Sequence, residues 1–147
     1  MCVSVATALS STLNKNIGYF FNRKEKKTHG DQGSLVGQLP LPKDSVVMVD
    51  DVITDGLTKI ESIAMIRELC EVKFSGVLVA LDRMEKNSLG RDAIADFEQI
   101  TGVPVWSIIT IREVCDYLKN REIDGAVVLD EDVYLKIEHY LEEHSVR

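Results

Sequence analysis

Proline is scarce in this 147-residue chain, at three residues, and so is cysteine, also at three. With 45% of residues hydrophobic and 28% charged, so few prolines describe an ordinary globular chain and exclude a disordered one. Cys2, Cys70 and Cys115 are odd in number, far apart and never in a CxxC pair, which argues against a disulfide framework or a zinc site and fits a reducing compartment. Positive charge is also in deficit. The net charge of -7 disfavours a general nucleic-acid binder, which would be basic. No apolar run reaches membrane-spanning length and no charged-then-apolar leader opens the chain, so a soluble cytoplasmic protein is expected. There is no GxxxxGK[ST] phosphate loop, internal repeat, low-complexity tract or linker, and residues 1–147 read as a single domain.

What is present alternates. Residues 2–15 have a helical pattern, and 17–22 form a short aromatic strand. A charged, glycine-rich loop follows over 23–42, with Gly30, Gly33 and Gly37 giving it the freedom of a lid. Residues 46–50 (VVMVD) are an apolar run closed by an acid, the pattern of a strand buried on both faces of a parallel sheet. A helix is predicted over 58–71, with Ile60, Ile63, Ala64, Ile66, Leu69 and Cys70 on its apolar face and Glu61, Glu68 and Glu71 opposite. Strand 76–82, helix 91–100, strand 105–109 and helix 111–118 continue the alternation. A last helix over 131–142 places Val133, Ile137, Tyr140 and Leu141 on one side. The fold class is therefore α/β, a parallel sheet flanked by helices and covered on both faces.

The most informative stretch is VVMVDDVITDGLTKIES, residues 46–62. A strand ends in two adjacent carboxylates, Asp50 and Asp51, and a glycine-containing turn leads into a helix. Ligands of open α/β sheets bind beyond the carboxyl ends of the strands, and a helix amino terminus offers N–H groups and a positive dipole end to a phosphate. Paired carboxylates suit ribose hydroxyls or a hydrated magnesium ion. Together these describe a phosphorylated ribose. Taken singly, the acids would merely end a strand and Thr58 would merely cap a helix.

This segment resembles the diphosphosugar motif of type I phosphoribosyltransferases, which use 5-phosphoribosyl 1-diphosphate. The resemblance implies that Asp50 and Asp51 contact the ribose hydroxyls, while Val52, Ile53, Thr54, Asp55, Gly56, Leu57 and Thr58 form the turn that cradles the 5-phosphate. Asp55 and Leu57 stand where family members more often carry small or hydroxylated residues. An acid at 55 suits a bound phosphate only if its side chain points away.

Upstream, FNRKEKKTHG (21–30) sets four cations and His29 on the glycine-rich loop, a group able to neutralise a departing diphosphate, with His29 able to donate a proton near neutral pH. In isolation such a run is a solvated charged loop. The string, followed by a glycine turn and LVG, resembles the catalytic loop of orotate phosphoribosyltransferases in particular. That resemblance implies that Arg23, Lys27 and His29 serve the neighbouring subunit of a homodimer and Lys24 its own, with Lys26 and Thr28 at variable positions. LDR (81–83) ends the next strand. Alone, Arg83 would be a strand-end ion pair; by resemblance it contacts orotate, together with Thr54, a guanidinium suiting the substrate's carboxylate.

The resemblance runs from residue 1 to about 120. It implies a magnesium-dependent transferase acting on two small-molecule substrates, with Lys27, His29, Asp50 and Asp51 as the catalytic set and no nucleic-acid or membrane partner. It also implies that the amino-terminal part of the family, with a first strand and a hood over the base, is absent from the chain. A non-catalytic donor-binding module and a transferase for another base are the alternatives. Trp106 is expected in the core. His139 and His144 fall on an exposed acidic helix and offer only weak metal ligands, and Arg112, Glu113 and Asp116 read as solvated helix positions.

Overall fold

The computed structural model describes residues 1–22 and 35–146. Twelve elements follow in order: α1 (Cys2–Leu13), β1 (Phe20–Asn22), β2 (Leu35–Gly37), β3 (Ser45–Asp50), α2 (Leu57–Leu69), β4 (Lys73–Asp82), α3 (Ala93–Thr101), β5 (Val105–Thr110), α4 (Ile111–Leu118), β6 (Glu122–Ile123), β7 (Ala126–Val127) and α5 (Glu131–His144). The apolar runs of β3, β4 and β5 form a parallel sheet in that order, with β4 central, and α2 and α3 are the crossovers between its strands. The predicted α/β architecture, a parallel sheet with flanking helices, is the one observed.

The helix ends follow side-chain chemistry. Asp92 accepts from the amides of Ile94 and Ala95 to start α3, and Gly102 closes it at φ 67°. Thr110 and Glu113 cap α4 reciprocally, and Asp130 accepts from Val133 N–H to start α5. Glu113, exposed as a solvated helix position should be, is thus also half of a capping box. Its carboxyl is held below the usual range by the Thr110 backbone and hydroxyl.

On one sheet face Val77 and Val79 pack against Ile63 and Ile66 of α2 and against Phe97 and Val103, and all six are buried. Each such side chain contributes about 1.5–3 kcal/mol by leaving water. The expectation of cover on both faces holds for this face alone among the described residues. Val47, Trp106 and Ile108 on the other face are 48%, 49% and 73% exposed. Trp106 is consequently not core: its ring lies over Gly76 of β4, whose missing side chain makes the room. Leu69, assigned to the apolar face of α2, is 65% exposed. The short aromatic strand expected over 17–22 is observed as β1, whereas its antiparallel partner β2 and the β6–β7 hairpin escaped prediction, their strands having at most three residues. No helix among the described residues is long and apolar enough to cross a membrane.

Candidate active site

β3 and β4 are parallel, so the segments following each strand meet at one edge of the sheet. Asp50 is the last residue of β3, and the amide of Leu81 donates to the carbonyl of Asp51 at 3.0 Å, carrying the ladder one step past the strand. Arg83 comes two residues later. The sequence-predicted groups at Asp50, Asp51 and 52–58 thus share this edge with Arg83. Arg23, Lys24, Lys27 and His29 lie outside the described residues.

The loop after β3 is organised by its own acids. Asp50 Oδ1 accepts the Asp51 amide at 3.0 Å, and Asp51 Oδ1 accepts the Val52 amide at 2.8 Å. Asp51 is exposed, whereas the Ile53 side chain turns into the core at 5% exposure, so Ile53 faces the site only through its backbone. Gly56 then takes φ 69° and becomes the N-cap of α2. No side chain caps this helix start, unlike those of α3, α4 and α5. Thr58 is therefore not a capping residue. The first turn of α2 presents its amides and dipole end beside Thr54 and Thr58, an arrangement suited to an oxyanion.

Lys59 went unnoticed in the sequence. Its ammonium lies 2.7 Å from Asp50 Oδ2 and donates to the carbonyl of Val52 at 2.8 Å, and the residue is only 8% exposed. A signal was available: Lys59 falls at i, i+4 and i+7 with Ile63 and Ile66, the buried stripe of α2, where a lysine requires a partner. Burial pushes the Asp50 carboxyl up, but the Lys59 hydrogen bond, the Asp51 amide and the Lys59 charge outweigh it and hold the carboxyl below its usual value. The loop therefore carries its own cation, paired with Asp50.

The structure also resolves the acid at 55. Asp55 Oδ1 accepts the backbone N–H of Ser88 at 2.7 Å. The carboxylate points to the segment after Arg83, where Asn87 and Gly90 close a turn braced by Asp96 and Arg91. Asp55 thus ties the loop after β3 to the loop after β4. Replacing it by alanine is expected to raise amide exchange at Ser88 about tenfold, the value of one such hydrogen bond. Unchanged protection at Ser88 would remove the tie from the account.

His139 sits 4.0 Å from Glu142 and 3.7 Å from Glu143 on exposed α5. The described residues contain no group of three or more potential metal ligands. The three cysteines are free, and Cys115 is buried with its thiol pushed up by burial and by the Glu138 and Asp116 charges.

No family model matches the chain. Individual proteins do. The orotate phosphoribosyltransferase of Clostridium acetobutylicum is 35% identical over 147 residues, all of this chain and 66% of that protein. That of Bifidobacterium longum strain NCC 2705 is 38% identical over 99% of this chain and 64% of its own length. Among solved structures, the orotate phosphoribosyltransferase of Francisella tularensis superposes with a TM-score of 0.74 at 25% identity, covering 97% of this chain and 63% of that one. The chain thus spans just under two thirds of the length of the relatives it matches. Likeness along the whole chain, in sequence and in fold, places it in the orotate phosphoribosyltransferase family.

Proposed function

We propose that the chain transfers the phosphoribosyl group of 5-phosphoribosyl 1-diphosphate to orotate, giving orotidine 5-phosphate and diphosphate, a step of pyrimidine-nucleotide synthesis. What supports this reading is the carboxyl edge of the sheet, where a carboxylate pair and a helix start without a side-chain cap follow β3 and Arg83 follows β4, in a chain similar throughout to orotate phosphoribosyltransferases.

Asp50 and Asp51 receive the ribose hydroxyls, and the turn of Thr54, Asp55, Gly56, Leu57 and Thr58 receives the 5-phosphate on the α2 amides. Thr54 and Arg83 orient orotate, the guanidinium matching its carboxylate. Exposed Asp51 beside Asp50 fits a hydrated magnesium ion, which keeps most of its waters and the donor's phosphate oxygens and needs only one or two carboxylates. When bound, magnesium supplies charge neutralisation at the diphosphate. As the sugar centre becomes oxocarbenium-like, Arg23, Lys27 and His29, from the neighbouring subunit of a homodimer, with Lys24 in its own subunit, meet the charge growing on the leaving group. No protein nucleophile is required; positioning, charge stabilisation and exclusion of water do the work. A cytoplasmic location accords with free cysteines in a reducing compartment.

The test is loss of orotate absorbance in the ultraviolet with protein, donor and magnesium together. Consumption that needs all three supports the reading, and its absence from a folded chain overturns it. Lys27→Ala is expected to lower kcat by about 10²-fold, with much less effect on orotate binding, because the charge it meets exists mainly in the transition state. Equal turnover by parent and variant removes Lys27 from the catalytic set.

A further inference from the structure

We propose that Tyr140, on the last turns of α5, is a positioning residue for Arg83. The inference rests on the reading that Arg83 receives the carboxylate of orotate.

Arg83 Nη2 donates to Glu85 Oε1 at 2.6 Å, and the Tyr140 hydroxyl donates to the same oxygen at 3.0 Å. The Glu85 side chain is 20% exposed and that of Arg83 is 40% exposed. Glu85 therefore grips the guanidinium at a single nitrogen, and part of the fork still faces solvent. A carboxylate beside a guanidinium ordinarily turns to engage it through both oxygens. Here both donors share Glu85 Oε1, so the Tyr140 hydroxyl helps hold the carboxylate where it meets the guanidinium through one oxygen. The result is an arginine oriented by one carboxylate and open to a second.

The helix end that delivers Tyr140 is itself fastened to the Arg83 segment. Lys86 N–H donates to the His144 carbonyl at 2.8 Å, the Lys86 ammonium to the Glu143 carbonyl at 3.0 Å, and Val146 N–H to the Met84 carbonyl at 3.3 Å. Leu141, 2% exposed, anchors the same turn. Tyr140 also packs against His144, with ring centroids 4.4 Å apart. Leu81, Ile111 and Ile137 complete the apolar side of an open groove of about 240 Å³ next to the Arg83–Glu85 pair.

Tyr140→Phe removes a single oxygen from a side chain at the surface, and an unchanged melting temperature is the check that the fold persists. The expected result is a three- to tenfold rise in KM for orotate, with kcat and KM for the donor within twofold of the parent. In an Arg83→Ala background the same substitution is expected to change nothing, which a purely structural role would not reproduce. An unaltered orotate KM in an active Tyr140→Phe enzyme overturns the proposal, as does an equal effect with and without Arg83. A parent chain that fails to turn over orotate overturns the underlying reading and this role with it, an outcome distinguished by the inactivity of the parent itself.

Discussion

Gly56→Ala is expected to destabilise the chain by roughly 2–5 kcal/mol, lowering the melting temperature by about 5–20 °C. Two costs combine. At φ 69° the backbone is left-handed, where an L side chain is strained by about 1–2 kcal/mol. A β-carbon there would also lie 2.9 Å from Cδ2 of Phe97, a ring 1% exposed and held by the core, and 3.5 Å from Ile53. A ring so enclosed moves only by disturbing its neighbours, which adds about 1–3 kcal/mol. Gly90→Ala provides the comparison: its φ of 74° is equally left-handed, yet nothing lies within 4 Å of the added carbon. Thermal melts of the two variants separate strain from crowding. Equal losses would show that contact with Phe97 is not decisive. Because Gly56 is also the start of α2, displacing it re-aims the first-turn amides, and on the proposed reading donor affinity should fall together with stability.

Much of this arrangement was legible in the sequence because it depends on local patterns. The VVMVD run, the acids that close it and the amphipathic stretch after the turn are each set by neighbours in the chain, and α4 was predicted at its observed limits. Legibility failed where a residue's role depends on a distant partner. Asp55 read as a liability beside phosphate, since nothing local announces that the Ser88 amide, 33 residues on, donates to its carboxylate. Trp106 read as core because it lies in an apolar strand, but the sheet face it occupies is open among the described residues. From its place after a strand Arg83 read only as an ion pair, which Glu85 supplies, and its role toward orotate came from the family resemblance; Tyr140, which shares Glu85 from 55 residues away, was not foreseen. Lys59 is the intermediate case. The stripe that buries it is local, but its meaning comes from Asp50, the residue with which it pairs.

Lys59→Met is expected to produce the second large effect, on stability and on the site at once. The methionine fills a similar volume, so the loss is of charge. Asp50 would keep its partial burial without the ammonium 2.7 Å away, and the Val52 carbonyl would lose its donor. Breaking a fully buried pair costs roughly 3–5 kcal/mol, but the Asp50 side chain is 44% exposed, and water reduces the expected loss to about 1–3 kcal/mol at neutral pH. The sign of its pH dependence follows from the depressed carboxyl. Asp50 is held below its ordinary value of 3.8, so its contribution is complete above that value and is lost as pH falls through the lower folded value. Denaturant unfolding should therefore separate parent from Lys59→Met at pH 7, and the gap should narrow below about pH 4. A gap that stays constant into acid would mean that Lys59 stabilises by packing and not by its charge. Adding Asp50→Asn to Lys59→Met should cost less than Asp50→Asn alone, because the second substitution removes a group already without its partner. On the proposed reading, Lys59→Met also weakens donor binding at least tenfold, since the carboxylate meant for the ribose is no longer held in place and two acids are left with less opposing charge near a phosphate. Calorimetric titration with the donor measures that directly, and an unchanged affinity would confine Lys59 to the stability of the fold.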